Sequence, residues 1–216
     1  MESKDLNKEL RDTLYPVLGE CGFTKITSRG SWKYNDNCIW IMDYEPVGKR
    51  FSEGSGWPSM SLFINCAIYF TFIPELNTED VIKQSSDGQL TPRYNQSHLQ
   101  ETLLCNYNQN EYTNTLEIPA DRGRNDIWWI EEDGSNLNHV INSLAEVISV
   151  DGMEWLREFS SEQHVLEALE AKRRMSYYDV HHAMHIARRL NLKDKAKKYE
   201  RLFEKENMKN ASLFDR

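Results

Sequence analysis

The sequence predicts an α+β protein: an antiparallel sheet packed by helices, followed by a C-terminal helical extension. Three observations carry this reading. Residues 61–72 alternate, with Leu62, Ile64, Cys66, Ile68, Phe70 and Phe72 on one face, a period of two that belongs to an extended strand. After Asp133-Gly134 the period changes, and Leu137, Val140, Ile141, Leu144 and Ile148 recur at i, i+3, i+4, i+7 and i+11, one stripe of an α-helix. The connections between the strand-like runs are mostly too short for crossover helices, which makes the sheet antiparallel.

The elements follow in order. Leu6, Leu10, Leu14 and Val17 form one apolar stripe and predict a helix over 4–18, stopped by Gly19 and Gly22, with Pro16 set to bend its last turn. Phe23–Thr27 reads as a short strand. Trp32–Asn35 and Cys38–Tyr44, separated by Asp36-Asn37, form a hairpin signature. Residues 45–58 carry Pro46, Gly48, Gly54, Gly56 and Pro58 and read as a loop. The long strand ends at Pro74. Residues 75–98 are a polar excursion, with a short helix expected from Thr78 to Gln84. Leu99–Tyr107, Tyr112–Ile118 and Asp126–Ile130 supply further strands. Beyond residue 135 the chain reads as all-helical. Asp151-x-x-Glu154, Ser160-x-x-Gln163 and Ser176-x-x-Asp179 predict helix starts near 152, 161 and 177, and a last helix covers about 194–207. The expected organisation is an α+β domain over 1–159 and a helical hairpin extension over 160–216.

Composition bounds the function classes. The chain has 216 residues, of which 39% are hydrophobic and 11% aromatic, enough to bury a core and to argue against disorder. The N-terminus is charged throughout and no apolar run approaches about 18 residues, so neither an export signal nor a membrane partner is expected and a cytoplasmic location is. Cys21, Cys38, Cys66 and Cys105 form no Cys-x-x-Cys pair and read as reduced thiols. Charge is unevenly spread: residues 1–170 carry 13 basic and 28 acidic residues, a net −15, whereas residues 171–216 carry 13 basic and 6 acidic, a net +7. That overall acidity argues against nucleic-acid binding through 171–216.

The segment Arg122-Gly-Arg124-Asn-Asp126-Ile-Trp128-Trp129-Ile-Glu131 is the most distinctive in the chain. Trp128 and Trp129 alternate faces in an extended chain, so one enters the core and the other meets a covering element. Arg122, Arg124 and Asp126 at its entry could hold an anion through guanidinium forks, or pair with neighbouring carboxylates. Arg93, His98 and Glu101 on the excursion form a second candidate set, of acid/base type. His181 and His185 stand at i, i+4, the spacing at which two imidazoles can share a metal, but no third ligand is evident, and a partly solvated helix face is the plainer reading. No phosphate-loop, dinucleotide or nucleophile-elbow fingerprint is present, and neither a cofactor nor a metal is expected.

Several motifs in their order resemble the bacterial domain of unknown function 4304 family over about residues 4–159. They are Leu18-Gly19-Glu-Cys-Gly22-Phe23-Thr-Lys25, Trp32, Phe63-Ile-Asn65-Cys-Ala-Ile-Tyr69 and Asp126-Ile-Trp128-Trp129 before a helix. The resemblance implies an α+β fold and a cytoplasmic bacterial protein, and brings no activity with it. The chain departs from it at Cys105-Asn-Tyr107-Asn-Gln109, neutral where the family implies an arginine-bearing strand. The function expected first is a non-enzymatic protein-interaction module, in its specific form an immunity-type protein whose acidic body meets a basic toxin. The alternative is a small-molecule or anion-processing enzyme built on Arg93, His98, Arg122 and Arg124; nucleic-acid binding through 171–216 ranks third.

Overall fold

The protein is described by a computed structural model covering residues 2–76, 81–107 and 124–214, with side chains to Met208. The chain divides into two compact units: Met1–Tyr69 with Asp80–Leu156, and Phe70–Glu79 with Arg157–Arg216.

The first unit is built on a five-stranded antiparallel meander: β1 (Lys25–Ile26), β2 (Gly30–Tyr34), β3 (Cys38–Pro46), β4 (Leu62–Phe70) and β5 (Leu99–Thr102), in that spatial order. The hairpin expected around Asp36-Asn37 forms, closed by the Asn35 N–H donating to the Cys38 carbonyl at 2.9 Å. Its register sets Trp32 opposite Ile41 and Gly30 opposite Asp43, and in the last pair Asn65 stands opposite Thr102.

On one face of the sheet Leu62, Ile64, Cys66 and Ile68 are buried to 1% exposure or less, as their period demands. The N-terminal helix and the 137–152 helical run belong to this side: Leu6 and Leu10 share a cavity wall with Tyr44 and Leu62, and Gly152 lies against Met42 and Leu103. The N-terminal helix is not uniform. α1 (Ser3–Glu9) passes through a π turn at Leu10–Leu14 into α2 (Tyr15–Glu20), and the buried stripe is Leu6, Leu10, Leu14 and Leu18 rather than one ending at Val17. Leucines spaced by four drift around a regular α-helix. The wider π turn takes up the drift, and it sits just ahead of Pro16, which has no N–H to donate.

The other face is buried too. Ile39, Ile41, Ala67 and Tyr69 form a cluster with Trp32 and Tyr34, and Ile82, Leu90 and Tyr94 from the polar excursion pack onto it. The excursion is therefore a cover, not a free loop. Trp32 Nε1 donates to the Pro92 carbonyl at 2.9 Å and Tyr34 Oη to the Leu90 carbonyl at 3.1 Å. The short helix expected from Thr78 to Gln84 is absent over 81–84; Gln84 pairs with Leu90 across a small hairpin, and the remainder lies outside the described residues.

Four further expectations are corrected. The 45–58 loop contains α3 (Lys49–Ser55), because Gly48 and Gly56 flank a helix rather than break one; Gly56 ends it in the left-handed conformation at φ 75°. Asp151 starts no helix: it lies inside a π turn, Ile148–Gly152, that continues α4 (Leu137–Val147) into α5 (Met153–Glu158). The expected strand Leu99–Tyr107 stops at Thr102, and Asp126–Ile130 makes only a single bridge, Trp128 to Leu62, with two hydrogen bonds of 3.0 and 2.8 Å. The Tyr112–Ile118 expectation lies outside the described residues.

The second unit is mainly helical: α6 (Glu162–Ala171), α7 (Tyr177–Arg189) and α8 (Lys193–Phe214). The Ser176–Asp179 capping box forms in both directions, while the first cap is Ser161, one residue after the Ser160 of the motif. Asn191, at φ 58°, makes the turn between α7 and α8. All four cysteines of the chain are free thiols, and no helix among the described residues is long and apolar enough to cross a membrane.

Candidate functional site

The cover over the second sheet face leaves a cleft of about 550 Å³ at the end where the apolar cluster gives way to polar residues. Its floor is Trp32, Ile41 and Asp43; its roof is the 91–95 stretch of the excursion with Lys83; Arg29 and Glu45 stand at its mouth.

The floor follows from strand parity. Ile39, Ile41 and Asp43 project to the same side of β3, so the strand that seals the apolar cluster ends in a carboxylate. Burial raises the Asp43 carboxyl to about 6, with the neighbouring Glu45 charge adding to the rise, a hydrogen bond from Asn65 and the Arg29 charge opposing it. Asn65, 6% exposed, is itself fixed: its Oδ1 accepts from Thr102 Oγ1 at 2.9 Å, which turns its amide nitrogen toward Asp43. A polar chain thus crosses β5, β4 and β3 beneath the cleft.

Trp32 is fixed by its bond to Pro92 and leans along β2 over Gly30. A Cβ at Gly30 would sit 3.2 Å from Cη2 of the indole, so the absence of a side chain there lets the ring lie down. Above it, Arg29, Lys83 and Arg93 carry three positive charges, and no carboxylate among the described residues lies within ion-pair distance of them. The site therefore offers an aromatic face, a carboxyl raised toward neutral pH and cations without an ionic partner among the described residues.

Most of the described residues expected from sequence lie away from this cleft. Arg93 lines the cleft. His98 lies elsewhere on the same sheet face, its ring 4.8 Å from that of Tyr69 and its N–H on the Ile68 carbonyl. Glu101 is an exposed residue of β5. Arg124 forms a two-pronged ion pair with Asp126, at 2.9 and 2.6 Å, over the ring of Trp57, and Asp126 is held below the usual carboxylate range by it. Arg122 lies outside the described residues.

Trp128 and Trp129 are both buried and do serve opposite sides. Trp128 donates from Nε1 to the Leu103 carbonyl and meets Tyr107, whereas Trp129 packs edge-on against Trp57 at 5.4 Å with Val47 and Ile127. Asn136 pins this segment: its Oδ1 accepts the Glu131 N–H at 2.8 Å and its amide donates to the Trp129 carbonyl at 3.0 Å. The pair is structural.

His181 and His185 do stand ring to ring, 4.6 Å apart, but His181 is 4% exposed rather than on a solvated face, and its Nδ1 has no hydrogen-bond partner among the described residues. Burial lowers His181 and His182 to about 4 and His185 in the same direction, keeping all three neutral at pH 7.

The sequence reading missed Arg29, Asp43, Glu45 and Lys83. For Asp43 a signal existed: an acid in register with Ile39 and Ile41 on a strand. Arg29 and Glu45 are brought close by the pairing of β2 with β3, where the Tyr44 N–H donates to the Arg29 carbonyl at 3.1 Å, and Lys83 joins them only once the excursion folds back. Comparison of the chain with protein families, with curated proteins and with solved structures finds no match.

Proposed function

We propose that the first unit is a small-molecule-binding module and that the cleft over Trp32 and Asp43 is its site. One observation carries this reading: a cleft within the usual size range of ligand pockets, about 300–1,000 Å³, in which a raised carboxyl and three cations lacking an ionic partner among the described residues face one volume. Charges left this way are poised for a ligand rather than used for the fold. The proposal keeps the small ligand of the enzyme alternative but not its activity, and replaces most of the residues on which that alternative rested. The experiment is retention of small molecules from a cell extract by the whole protein, identified by mass spectrometry, against Arg93→Gln. A compound kept by the wild type and lost by the variant supports the site; equal retention, or none, removes it.

A second reading keeps the protein-interaction module and its immunity-type form. It is favoured by Val150, 56% exposed on a helical run where Glu146, Asp151 and Glu154 are also exposed. An apolar side chain ringed by acids suits a basic protein partner. Capture of a basic protein at low salt, abolished by Val150→Lys, supports it; capture unaffected by that change counts against this surface. Kinship with the domain of unknown function 4304 family, a bacterial source and a cytoplasmic location belong to the same proposal and rest on sequence motifs alone.

A further inference from the structure

The polarity of the cleft says more than that it binds something. We propose that its ligand is a planar aromatic or heteroaromatic acid, its ring on Trp32, a hydrogen-bond donor of the ring toward Asp43, and its acidic group, carboxylate or phosphate, at Arg93 and Lys83. This rests on the reading of the cleft as a small-molecule site.

Each part follows from a fixed side chain. The single donor of Trp32 is used by the Pro92 carbonyl, so the indole can offer a ligand only its apolar face and edge. Ile41 and Pro92 continue that surface, and the lining is more apolar than polar. Flat rings bury well against such a wall, with stacking worth about 0.5–1.5 kcal/mol beyond the area itself.

Orientation is set by where the charges lie. Asp43 sits at the floor with Glu45 close enough to raise its carboxyl further. An acidic group of the ligand placed there would meet like charge. A ring N–H or O–H placed there would meet an acceptor whose other hydrogen bond, from Asn65, is already oriented by Thr102. The acidic group is thereby directed to the roof, where Arg93 and Lys83 lack an ionic partner among the described residues. A guanidinium takes either oxyanion in a forked geometry, so carboxylate and phosphate share this chemistry.

The test is isothermal titration of the whole protein with two series of probes. One is the nucleoside monophosphates AMP, GMP, CMP and UMP; the other is aromatic carboxylates such as indole-3-acetate. Inorganic phosphate and acetate serve as ring-free controls. At least one ring-bearing acid should bind about 50-fold or more tightly than its ring-free control, the area and stacking of one ring supplying that ratio. Arg93→Gln, a change at an exposed side chain, should weaken it by about tenfold or more through loss of the fork. Trp32→Leu should remove the advantage over the control; because it also touches the core, its thermal unfolding is recorded alongside. Which series wins separates the phosphate from the carboxylate source. Ring-free anions binding as tightly as the ring compounds would overturn the proposal. So would silence from every probe: if the extract experiment still yields a compound lost in Arg93→Gln, only the ligand class falls, and if it yields none, the site reading falls with it.

Discussion

Four cations of the second unit and the three around the cleft of the first are partnered in different ways. In the second, Arg188 pairs with Glu200, Arg189 with Glu162, Lys195 with Glu170 and Lys172 with Asp179, all at 2.6–2.7 Å. Around the cleft of the first, Arg29, Lys83 and Arg93 have no such partner among the described residues. Four of the thirteen basic residues of the stretch that stood out by composition are ion-paired, while cations scattered through an acidic region have no such partner among the described residues. Charge counts locate neither case, because pairing is decided by folding and not by abundance.

Particular buried groups can be compared in the same way. In the first unit Asn136 and Asn65 are held by hydrogen bonds to the backbone and to a neighbouring side chain, whereas in the second the buried His181 has an Nδ1 with no hydrogen-bond partner among the described residues. Four experiments press on this difference. The largest effect is expected from Asn136→Ala. It removes two buried hydrogen bonds, to the Glu131 N–H and the Trp129 carbonyl, and costs about 3 kcal/mol by chemical denaturation. A loss below about 1 kcal/mol would mean that water replaces the amide.

Next comes acid. Histidines 181, 182 and 185 bind protons more weakly in the folded unit than in the unfolded chain. Above pH 6.5 they cost nothing. As pH falls through 6.5 the unfolded chain gains protons that the folded unit takes up only near 4, so stability is lost across that window, by on the order of 2 kcal/mol. The facing charges set the sign as burial does: Arg188 and Lys172 disfavour protonation, and only Asp179 favours it. Amide exchange resolved by residue should show α7 and α8 loosening between pH 6.5 and 4; equal protection at both ends would contradict the burial argument.

The first unit should respond with the other sign at Asp43. A carboxyl raised to about 6 penalises the folded state above that pH, and the penalty disappears below about 4. Asp43→Asn therefore stabilises the protein by on the order of 1–2 kcal/mol at pH 7.5 and leaves it unchanged at pH 3.5. Stabilisation that persists at pH 3.5 would place its origin in packing. The smallest effect belongs to the surface pairs: a double-mutant cycle on Arg189 and Glu162 should give about 0.5 kcal/mol and shrink in salt.

What was legible in the sequence was whatever depends on neighbours along the chain. The period of two placed β4 and the Asp36-Asn37 turn placed the hairpin; Ser176-x-x-Asp179 placed the start of α7. What stayed hidden depends on contacts distant in sequence. The 81–98 stretch is polar in composition, yet Ile82, Leu90 and Tyr94 suffice to anchor it on a sheet whose second face would otherwise be bare. The buried state of His181 was hidden for the same reason, since α7 alone cannot reveal Phe203 of α8 lying 5.2 Å from its ring. The cleft exists only because two segments about 60 residues apart meet, as the Trp32 to Pro92 bond records.

The anchoring of that cover has a bearing on how such a protein can diversify. Beside the apolar contacts of Ile82, Leu90 and Tyr94, Trp32 and Tyr34 hold it by the main-chain oxygens of Pro92 and Leu90. A carbonyl is supplied by every residue type, so the tether survives most replacements at the positions between and beside those two. Lys83, Arg93 and Asn95 are thus free to vary while floor and fastening stay constant. A lineage could exchange one ligand for another by rewriting a few roof residues, at almost no cost to the fold that carries them.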